Sequence, residues 1–185
     1  MSLKVMDKIY TLEGDRLRLR TLQPSDRSER YLAWLNDAEV QKYTRRSGVI
    51  STMSDIDSFI AYSLACSDFH FAIFLKDSDS YIGNVSLNSV NERHKNAEVS
   101  IMLGDRSCWG RGYAAEAINL VVDFAFKDLT LHRVWAESCN PAFIALMKKL
   151  NWREEGIRRD AVFLNNKYLD YIDWSVLESE WPIKK

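Results

Sequence analysis

The sequence is poor in the residues that bind metals or form disulfides. It has three cysteines and three histidines among 185 residues and no C-x-x-C pair, and no two ligand-type residues lie at zinc spacing near the histidines. These six residues are Cys66, Cys108, Cys139, His70, His94 and His132. An odd number of widely separated cysteines indicates reduced thiols, so we expect a cytoplasmic protein with no metal site.

Long apolar runs and an excess of charge of one sign are also missing. No run of roughly 18 apolar residues occurs, and residues 1–8 lack a basic segment followed by an apolar one, so we expect neither a membrane span nor a signal peptide. The 25 basic and 26 acidic residues leave a net charge of -1, which gives no general electrostatic reason to bind nucleic acid. The strongest local basic feature is the outer face of one strand, with Arg16, Arg18 and Arg20.

The composition is that of a folded chain. Apolar residues make up 46% of the sequence and aromatic residues 12%, which excludes disorder as its main state. A chain of this length forms one domain of ordinary size. We therefore expect a single domain over residues 1–185, with residues 1–14 as a flexible N-terminal extension.

Apolar periodicity predicts a mixed α/β domain. Strands are predicted over 15–22, 69–75, 81–87, 97–103, 133–137, 152–157, 161–164 and 167–177. Helices are predicted from Pro24 to Asn36, over the segment that contains residues 56–64, over 113–127 and over 141–150. Asn140 and Pro141 form a helix-start signal, and Asn165 with Asn166 form a type I′ hairpin signal.

Glycine is scarce as well, but its distribution is uneven. Of the seven glycines, Gly104, Gly110 and Gly112 fall within nine residues, between a predicted strand and a predicted helix. The unpaired N–H groups and positive dipole of a helix start bind anions, and glycine lets a loop curl around them. A turn that only changes the chain direction is the simpler interpretation. Dinucleotide binding is a third interpretation, because Gly110, Gly112 and Ala115 fit the dinucleotide-binding fingerprint. The antiparallel strands predicted upstream, however, do not form the successive βα units of a Rossmann domain.

The sequence around these glycines resembles a known family. The segment WGRGYAAEA at 109–117 is similar to the acetyl-CoA loop of the Gcn5-related N-acetyltransferases (GNAT), and LTLHRVWA at 129–136 is similar to the strand that follows it. Three further groups of residues, at 17–37, at 82–84 with 97–99, and at 155–181, resemble the branch of ribosomal-protein-alanine, spermidine and amino-sugar acetyltransferases. The resemblance implies a central, mostly antiparallel sheet with one parallel, splayed strand pair, flanked by about four helices.

The resemblance also implies a site for acetyl-CoA as co-substrate, without a metal. Backbone groups of one strand would pair with the pantetheine amides, loop N–H groups would hold the pyrophosphate, and a helix-capping asparagine would contact the pantetheine arm. The implied cofactor-binding residues are Ile101, Met102, Leu103, Trp109, Gly110, Arg111, Gly112, Tyr113, Ala114 and Asn140. Two positions depart from the family pattern: Ser107 replaces a Gln or Arg of the loop, and Met147 replaces the tyrosine that many members use as the general acid.

Amide formation needs a neutral amine, so a base must take a proton. Glu98 is our candidate, on the strand that would face the thioester; the alternatives are a solvated carboxylate or an ion pair with His94 or Lys95. A cysteine nucleophile at Cys108 or Cys139 lacks a neighbouring histidine to activate it.

The acceptor is expected over the first two helices and the C-terminal hairpin. The candidate substrate-binding residues are Trp34, Asn36, Arg45 and Tyr168. Core packing is the alternative role for Trp34 and Tyr168. A solvated charge pair is the alternative for Arg45 with Arg46, which we also considered as a phosphate contact.

The function implied is an acetyl-CoA-dependent N-acetyltransferase in which a primary amine attacks the bound thioester directly. The acceptor would be a small molecule or a peptide: a protein N-terminus, an amino sugar or antibiotic, or a polyamine. An acetyl-CoA-binding sensor or assembly module without catalysis is the alternative. We expect no nucleic acid or membrane partner, and the resemblance is compatible with a homodimer.

Overall fold

The computed structural model describes residues 8–181 and contains one eight-stranded sheet in the order β1-β2-β3-β4-β5-β6-β8-β7. The pair β5–β6 is parallel and every other neighbouring pair is antiparallel. The strands are β1 (Thr11–Glu13), β2 (Leu17–Thr21), β3 (Phe69–Leu75), β4 (Tyr81–Asn91), β5 (Asn96–Leu103), β6 (Arg133–Ser138), β7 (Arg153–Leu164) and β8 (Lys167–Leu177). The helices are α1 (Glu29–Asn36), α2 (Ala38–Gln41), α3 (Met53–Ala65), α4 (Tyr113–Lys127) and α5 (Pro141–Lys149). The expected fold class is confirmed.

The parallel pair separates along its length. Its register runs from Asn96 opposite Arg133 to Glu98 opposite Trp135, although β5 continues to Leu103 and β6 to Ser138. Beyond this point β5 stays paired with β4 alone, up to Leu103 opposite Gly83. The two strands therefore part after Glu98 and open a wedge in the sheet.

Strand alternation and helical periodicity build the main core. Leu17 and Leu19 of β2 have no exposed surface, while Arg18 and Arg20 on the other face pair with Asp79 and Asp26. Helix α4 packs against the same core with an apolar face that includes Ala117, Ile118, Val121 and Ala125. Within residues 8–181 the structure has no helix that is both long and apolar enough to cross a membrane.

The N-terminal part differs from the prediction in two places. Thr11–Glu13 form β1, paired with β2, so the expected flexible extension over 1–14 is corrected there; residues 1–7 lie outside the described residues. Pro24–Asp26 form a separate 3-10 turn, in which buried Asp26 accepts from Arg20 Nη1 at 2.7 Å. Helix α1 begins only after the Ser28 cap.

Local signals were accurate at the other end of the chain. Asn140 Oδ1 accepts from Ala142 N at 3.0 Å and caps α5, as the Asn-Pro signal predicted. Asn165 and Asn166 have φ angles of 52° and 60°, which confirms the left-handed conformation of a type I′ turn. The separate strands predicted over 152–157 and 161–164 are one strand, β7, interrupted by irregular pairing with β8.

We predict that Gly104→Ala destabilises the protein. A Cβ atom built at Gly104 would lie 2.0 Å from the ring of Trp34, which is 6% exposed, so the ring would have to move within a packed cluster. Overpacking of this kind costs about 1–3 kcal/mol. Gly156→Ala is the matched control, because a Cβ there meets nothing within 4 Å. Urea denaturation measures both; equal stability of the two variants would contradict the packing assigned to Trp34.

Candidate active site

A groove of about 540 Å³ opens where β5 and β6 part. It runs between the end of β5, the start of α4 and one face of α5, and we call it the central groove. Its wall includes Lys42, Tyr43, Ile101, Met102, Leu103, Cys108, Trp109, Gly110, Gly112, Tyr113, Ala114, Ala115, Asn140, Phe143, Leu146 and Lys149. The central groove therefore joins strand backbone, a glycine loop and a helix N-terminus at one place.

The predicted cofactor-binding residues meet in this groove, with one exception. Ile101, Met102 and Leu103 come from β5, Asn140 caps α5, and the loop residues 109, 110 and 112–114 close one end. Arg111 is exposed and does not belong to the wall; its carbonyl oxygen accepts from Arg16 Nη1 at 2.9 Å. Sequence reasoning did not identify Lys42, Phe143, Leu146 and Lys149, which the fold alone brings to the groove.

The glycine loop needs its glycines for backbone conformation. Gly110 has φ 73° and Gly112 has φ 83°, both in the left-handed region. Gly112 is the N-cap of α4, so the first amide groups of that helix point out of the loop. A Cβ at Gly110 would meet nothing within 4 Å, and one at Gly112 would meet only Arg16 Nη2 at 3.4 Å. The constraint on these positions is therefore backbone strain rather than crowding.

The loop is tied to β2 by a carboxylate. Glu116 Oε1 accepts from the amides of Arg16 and Leu17 at 2.7 and 2.9 Å, and Glu116 Oε2 pairs with Arg16 Nε at 2.9 Å. Burial alone would raise the pKa of Glu116, but the hydrogen bonds and the Arg16 charge prevail and lower it. The sequence indicated only that Arg16 belonged to a basic strand face. Its role as an anchor of the loop depends on contacts about 100 positions apart.

A second cavity of about 320 Å³ adjoins the central groove, and we call it the side pocket. The two cavities share Thr44, Ile101 and Met102. The rest of the side-pocket wall is Tyr31, Leu35, Arg46, Asp55, Ile56, Phe59, His70, Asn84, Val85, Ser86 and Ser100. It lies between the N-terminal helices and the middle of β4 and β5. A ligand in the central groove and one in the side pocket would thus meet at the end of β5.

Glu98 lies at the vertex of the wedge. It is half-buried and on the same face of β5 as Ser100, which lines the side pocket, because alternate strand residues share a face. Glu98 itself lines neither cavity. Burial raises the pKa of the Glu98 carboxyl, and the charge of Glu137 raises it further, whereas Arg45 and Arg158 act in the opposite direction. Within residues 8–181 no ion pair joins Glu98 to His94 or Lys95.

Glu137, by contrast, is held by two arginines. Arg45 Nη2 lies 2.6 Å from Glu137 Oε1, and Arg158 pairs with Glu137 Oε2 and, at 2.9 Å, with Asp173. Arg45 lines neither cavity and its guanidinium pairs with Glu137, so the acceptor role expected for it stays a prediction. Of the two neighbouring arginines, Arg46 is the one that lines the side pocket, where Arg46 Nη2 donates to Ser51 Oγ at 2.9 Å.

The other three expected acceptor residues also lie outside both cavities. Trp34 is buried against Gly104, Tyr31 and Tyr81, which makes it a core residue. Asn36 donates through Nδ2 to the Ser51 carbonyl at 3.0 Å and accepts from the Ser51 amide at 2.8 Å, so it joins α1 to the segment before α3. Tyr168 is 66% exposed at the hairpin tip, with its ring 4.9 Å from that of Phe163.

Three residues weighed for chemistry have structural surroundings. Met147 is fully buried in the main core and does not line the central groove. Cys108 and Cys139 are both buried, and burial raises the pKa of each thiol, which opposes thiolate formation. A cysteine nucleophile is not supported.

Three potential metal ligands lie close together near one of the histidines. Cys66, Asp68 and His70 place one potential ligand atom each within 4.8 Å of one another. The spacing C-x-D-x-H between the end of α3 and the start of β3 contradicts the expectation that no ligand-type residues lie at zinc spacing near the histidines, whereas the expected absence of a metal stays a prediction.

The fold and its cavities define the class to which the chain belongs. The family model described as an acetyltransferase (GNAT) domain matches residues 16–153. The chain therefore belongs to the GNAT acetyltransferases, and it is an N-acetyltransferase like the curated relatives that it resembles. An uncharacterised N-acetyltransferase of Bacillus licheniformis, p20, is 31% identical over 95% of this chain and 99% of its own length. Spermidine N(1)-acetyltransferase of Vibrio cholerae is 30% identical over 54% of this chain and 58% of its own length.

Solved structures share the fold. The crystal structure of spermidine N-acetyltransferase from Vibrio cholerae in complex with CoA and spermine has a TM-score of 0.81 and 23% identity, covering 90% of this chain and 98% of that one. Ribosomal-protein-S5-alanine acetyltransferase from Vibrio fischeri has a TM-score of 0.80 and 21% identity, covering 94% and 99%.

We predict that Glu116→Gln lowers the free energy of unfolding at neutral pH. The variant should also lose less of this stability than the unchanged protein when the pH is lowered. A carboxylate with a lowered folded pKa contributes stability above its unfolded pKa of about 4.3 and loses that contribution as the pH falls through the folded value. Removing hydrogen bonds to a charged group costs roughly 1–3 kcal/mol. Urea midpoints near pH 7 and pH 3 measure the effect. Exposed Glu154→Gln is the control; a variant as stable as this control at pH 7 would contradict the anchoring role.

Proposed function

We propose that the protein binds acetyl-CoA in the central groove and transfers its acetyl group to a primary amine that enters through the side pocket. The carrying observation is the parting of β5 and β6 after Glu98, which opens the central groove beside the N-terminus of α4 and the side pocket. The family uses acetyl-CoA, and a structural neighbour was solved in complex with CoA and spermine.

The donor types in the central groove fit the chemistry of acetyl-CoA. Amide groups at 110–114 would receive the pyrophosphate at the positive end of the α4 dipole. The backbone of Ile101 to Leu103, which β6 no longer pairs with, would bind the pantetheine amides. Lys42 and Lys149 add positive charge to the wall for a ligand that carries several phosphates. Asn140 uses Oδ1 for its cap and would offer Nδ2 to the pantetheine arm.

Glu98 is proposed as the base. An alkylammonium group has a pKa near 10.4, so it must lose a proton before it can attack. A half-buried carboxylate with a raised pKa accepts that proton better than a solvated one, and we propose that a water molecule relays it from the side pocket. The amine nitrogen then attacks the thioester carbonyl carbon, the new C–N bond forms, and the C–S bond breaks to release the thiolate of CoA.

The released thiolate needs a proton donor other than residue 147. Tyr43 and Tyr113 both line the central groove with phenol groups, whereas Met147 is buried in the core. We propose that a phenol of the groove supplies this proton, and we favour Tyr43 because it also adjoins Thr44, which the two cavities share.

The wall of the side pocket contains both apolar and charged side chains, and this mixture supports one class of acceptor. Leu35, Ile56 and Phe59 offer apolar surface, while Arg46 and Asp55 place opposite charges at the same pocket. Such a wall suits an amine attached to an uncharged or zwitterionic body, such as a peptide N-terminus or an amino sugar. A polyamine, with several positive charges, would meet Arg46.

We predict that Gly112→Val weakens acetyl-CoA binding at least about tenfold, or about 1.4 kcal/mol. A β-branched residue resists φ 83°, so the loop must relax and its amides leave their positions. Titration calorimetry with acetyl-CoA measures the change. Gly48→Val is the matched control, because Gly48 has φ 80° and open space but lies outside the loop. Equal affinity of the two variants would contradict the loop assignment.

We predict that the protein releases CoA from acetyl-CoA in the presence of an N-terminal alanine peptide or glucosamine and more slowly with spermidine, and that Glu98→Gln lowers kcat/KM at least about a hundredfold. The base must be ionised, so activity falls as the pH drops through its raised pKa. Glu137→Gln should move this acid limb to lower pH, because it removes a charge that raises the pKa of Glu98.

The controls separate catalysis from binding. Glu154→Gln, at an exposed position of β7, should leave both rate and pH profile unchanged. Binding of acetyl-CoA with no CoA release from any amine would favour the sensor or assembly module. Unchanged activity in Glu98→Gln would refute the base while leaving the acetyltransferase itself in place.

A further inference from the structure

Three metal-ligand types meet where α3 passes into β3. Cys66 follows the last residue of α3, Asp68 precedes the first residue of β3, and His70 is the second residue of that strand. Their ligand atoms lie within 4.8 Å of one another, and Cys66 Sγ is 3.7 Å from His70 Nε2. The chain turn between helix and strand thus brings a thiol, a carboxylate and an imidazole to one point.

We propose that Cys66, Asp68 and His70 bind one Zn²⁺ ion at the wall of the side pocket. Cysteine, histidine and aspartate are the ordinary zinc ligands, and three protein ligands with one open position form a common type of zinc site. In a tetrahedral site with Zn–S of about 2.3 Å and Zn–N of about 2.0 Å, sulfur and nitrogen lie about 3.5 Å apart. The Cys66–His70 distance is close to this value, so these two ligands need little movement.

The surroundings hold the ligands in place. Asp68 Oδ1 accepts from Val90 N at 3.1 Å, which fixes the carboxylate against β4. The ring of His70 is packed by Phe59 and Tyr62, with centroids at 5.2 and 6.2 Å. Supporting contacts of this kind orient the ligands of metal sites. His70 is 7% exposed, so zinc bound there would lie at a protected position rather than on an open surface.

The site would join two elements that form the side pocket. Phe59 on α3 and His70 on β3 both line that pocket, so a metal between the end of α3 and β3 would fix one wall. The proposal rests on the geometry of these residues and not on acetyl transfer, so either can fail without the other.

The test is zinc binding to the full-length protein after treatment with a chelator. Competition with a chromophoric chelator should show one tight equivalent of Zn²⁺, and Co²⁺ should give a thiolate-to-metal charge-transfer band. Cys66→Ser should abolish the charge-transfer band. Each of the single variants Cys66→Ser, Asp68→Asn and His70→Gln should weaken Zn²⁺ binding at least about tenfold. Zinc should also protect Cys66 from alkylation.

Matched variants make the outcome decisive. Cys139→Ser and His94→Gln remove a thiol and an imidazole elsewhere in the chain and should leave the affinity and the band unchanged. Circular dichroism checks folding; Cys66→Ser, at a half-buried position, decides the matter if His70→Gln does not fold. No tight equivalent, or equal binding by Cys66→Ser and Cys139→Ser, would overturn the proposal and leave a hydrogen-bonded cluster.

Discussion

The structure depends on one constraint: two parallel strands that stop pairing before they end. A strand edge without a neighbour exposes N–H and C=O groups that need partners. Parallel strands also require a crossover, and α4 is that crossover between β5 and β6. The loop into α4 starts where β5 ends, so the open strand edge and the helix amides face one groove. The topology, more than any side chain, creates the central groove in which we propose that acetyl-CoA binds.

The rest of the sheet holds that place rigid. The apolar face of α4 packs on β2, β4 and β5, and Glu116, in its first turn, binds the start of β2 with three hydrogen bonds. The glycines of the loop accept φ angles that other residues resist, while Glu116 and Arg16 restrain what the glycines leave free. The same loop therefore combines glycines that permit an unusual backbone conformation with side-chain contacts that hold this conformation in place.

Much of this was predictable because its signals are local. Gly112 before an apolar helical face, Asn140 before Pro141, and the pair Asn165–Asn166 each determine a structure through neighbours in the chain. The acceptor side was not predictable in the same way. Asn36 binds a residue 15 positions away and Arg45 one 92 positions away, so their partners exist only in the folded chain. Trp34 has the residue type of a binding site, but the absent Cβ of Gly104 makes room for it in the core.

The carboxylates of Glu98 and Glu137 lie on the same face of the sheet, and the fold gives them different surroundings. Glu98 and Glu137 are near neighbours across the parting strands, yet Glu137 is paired with two arginines while burial and the Glu137 charge disfavour the charge on Glu98. Environments that treat two acids differently are the usual basis of acid and base assignments. The base is therefore assigned to β5: burial and the neighbouring Glu137 charge raise the pKa of Glu98 against the opposing charges of Arg45 and Arg158, whereas Glu137 is occupied by its ion pairs with these two arginines.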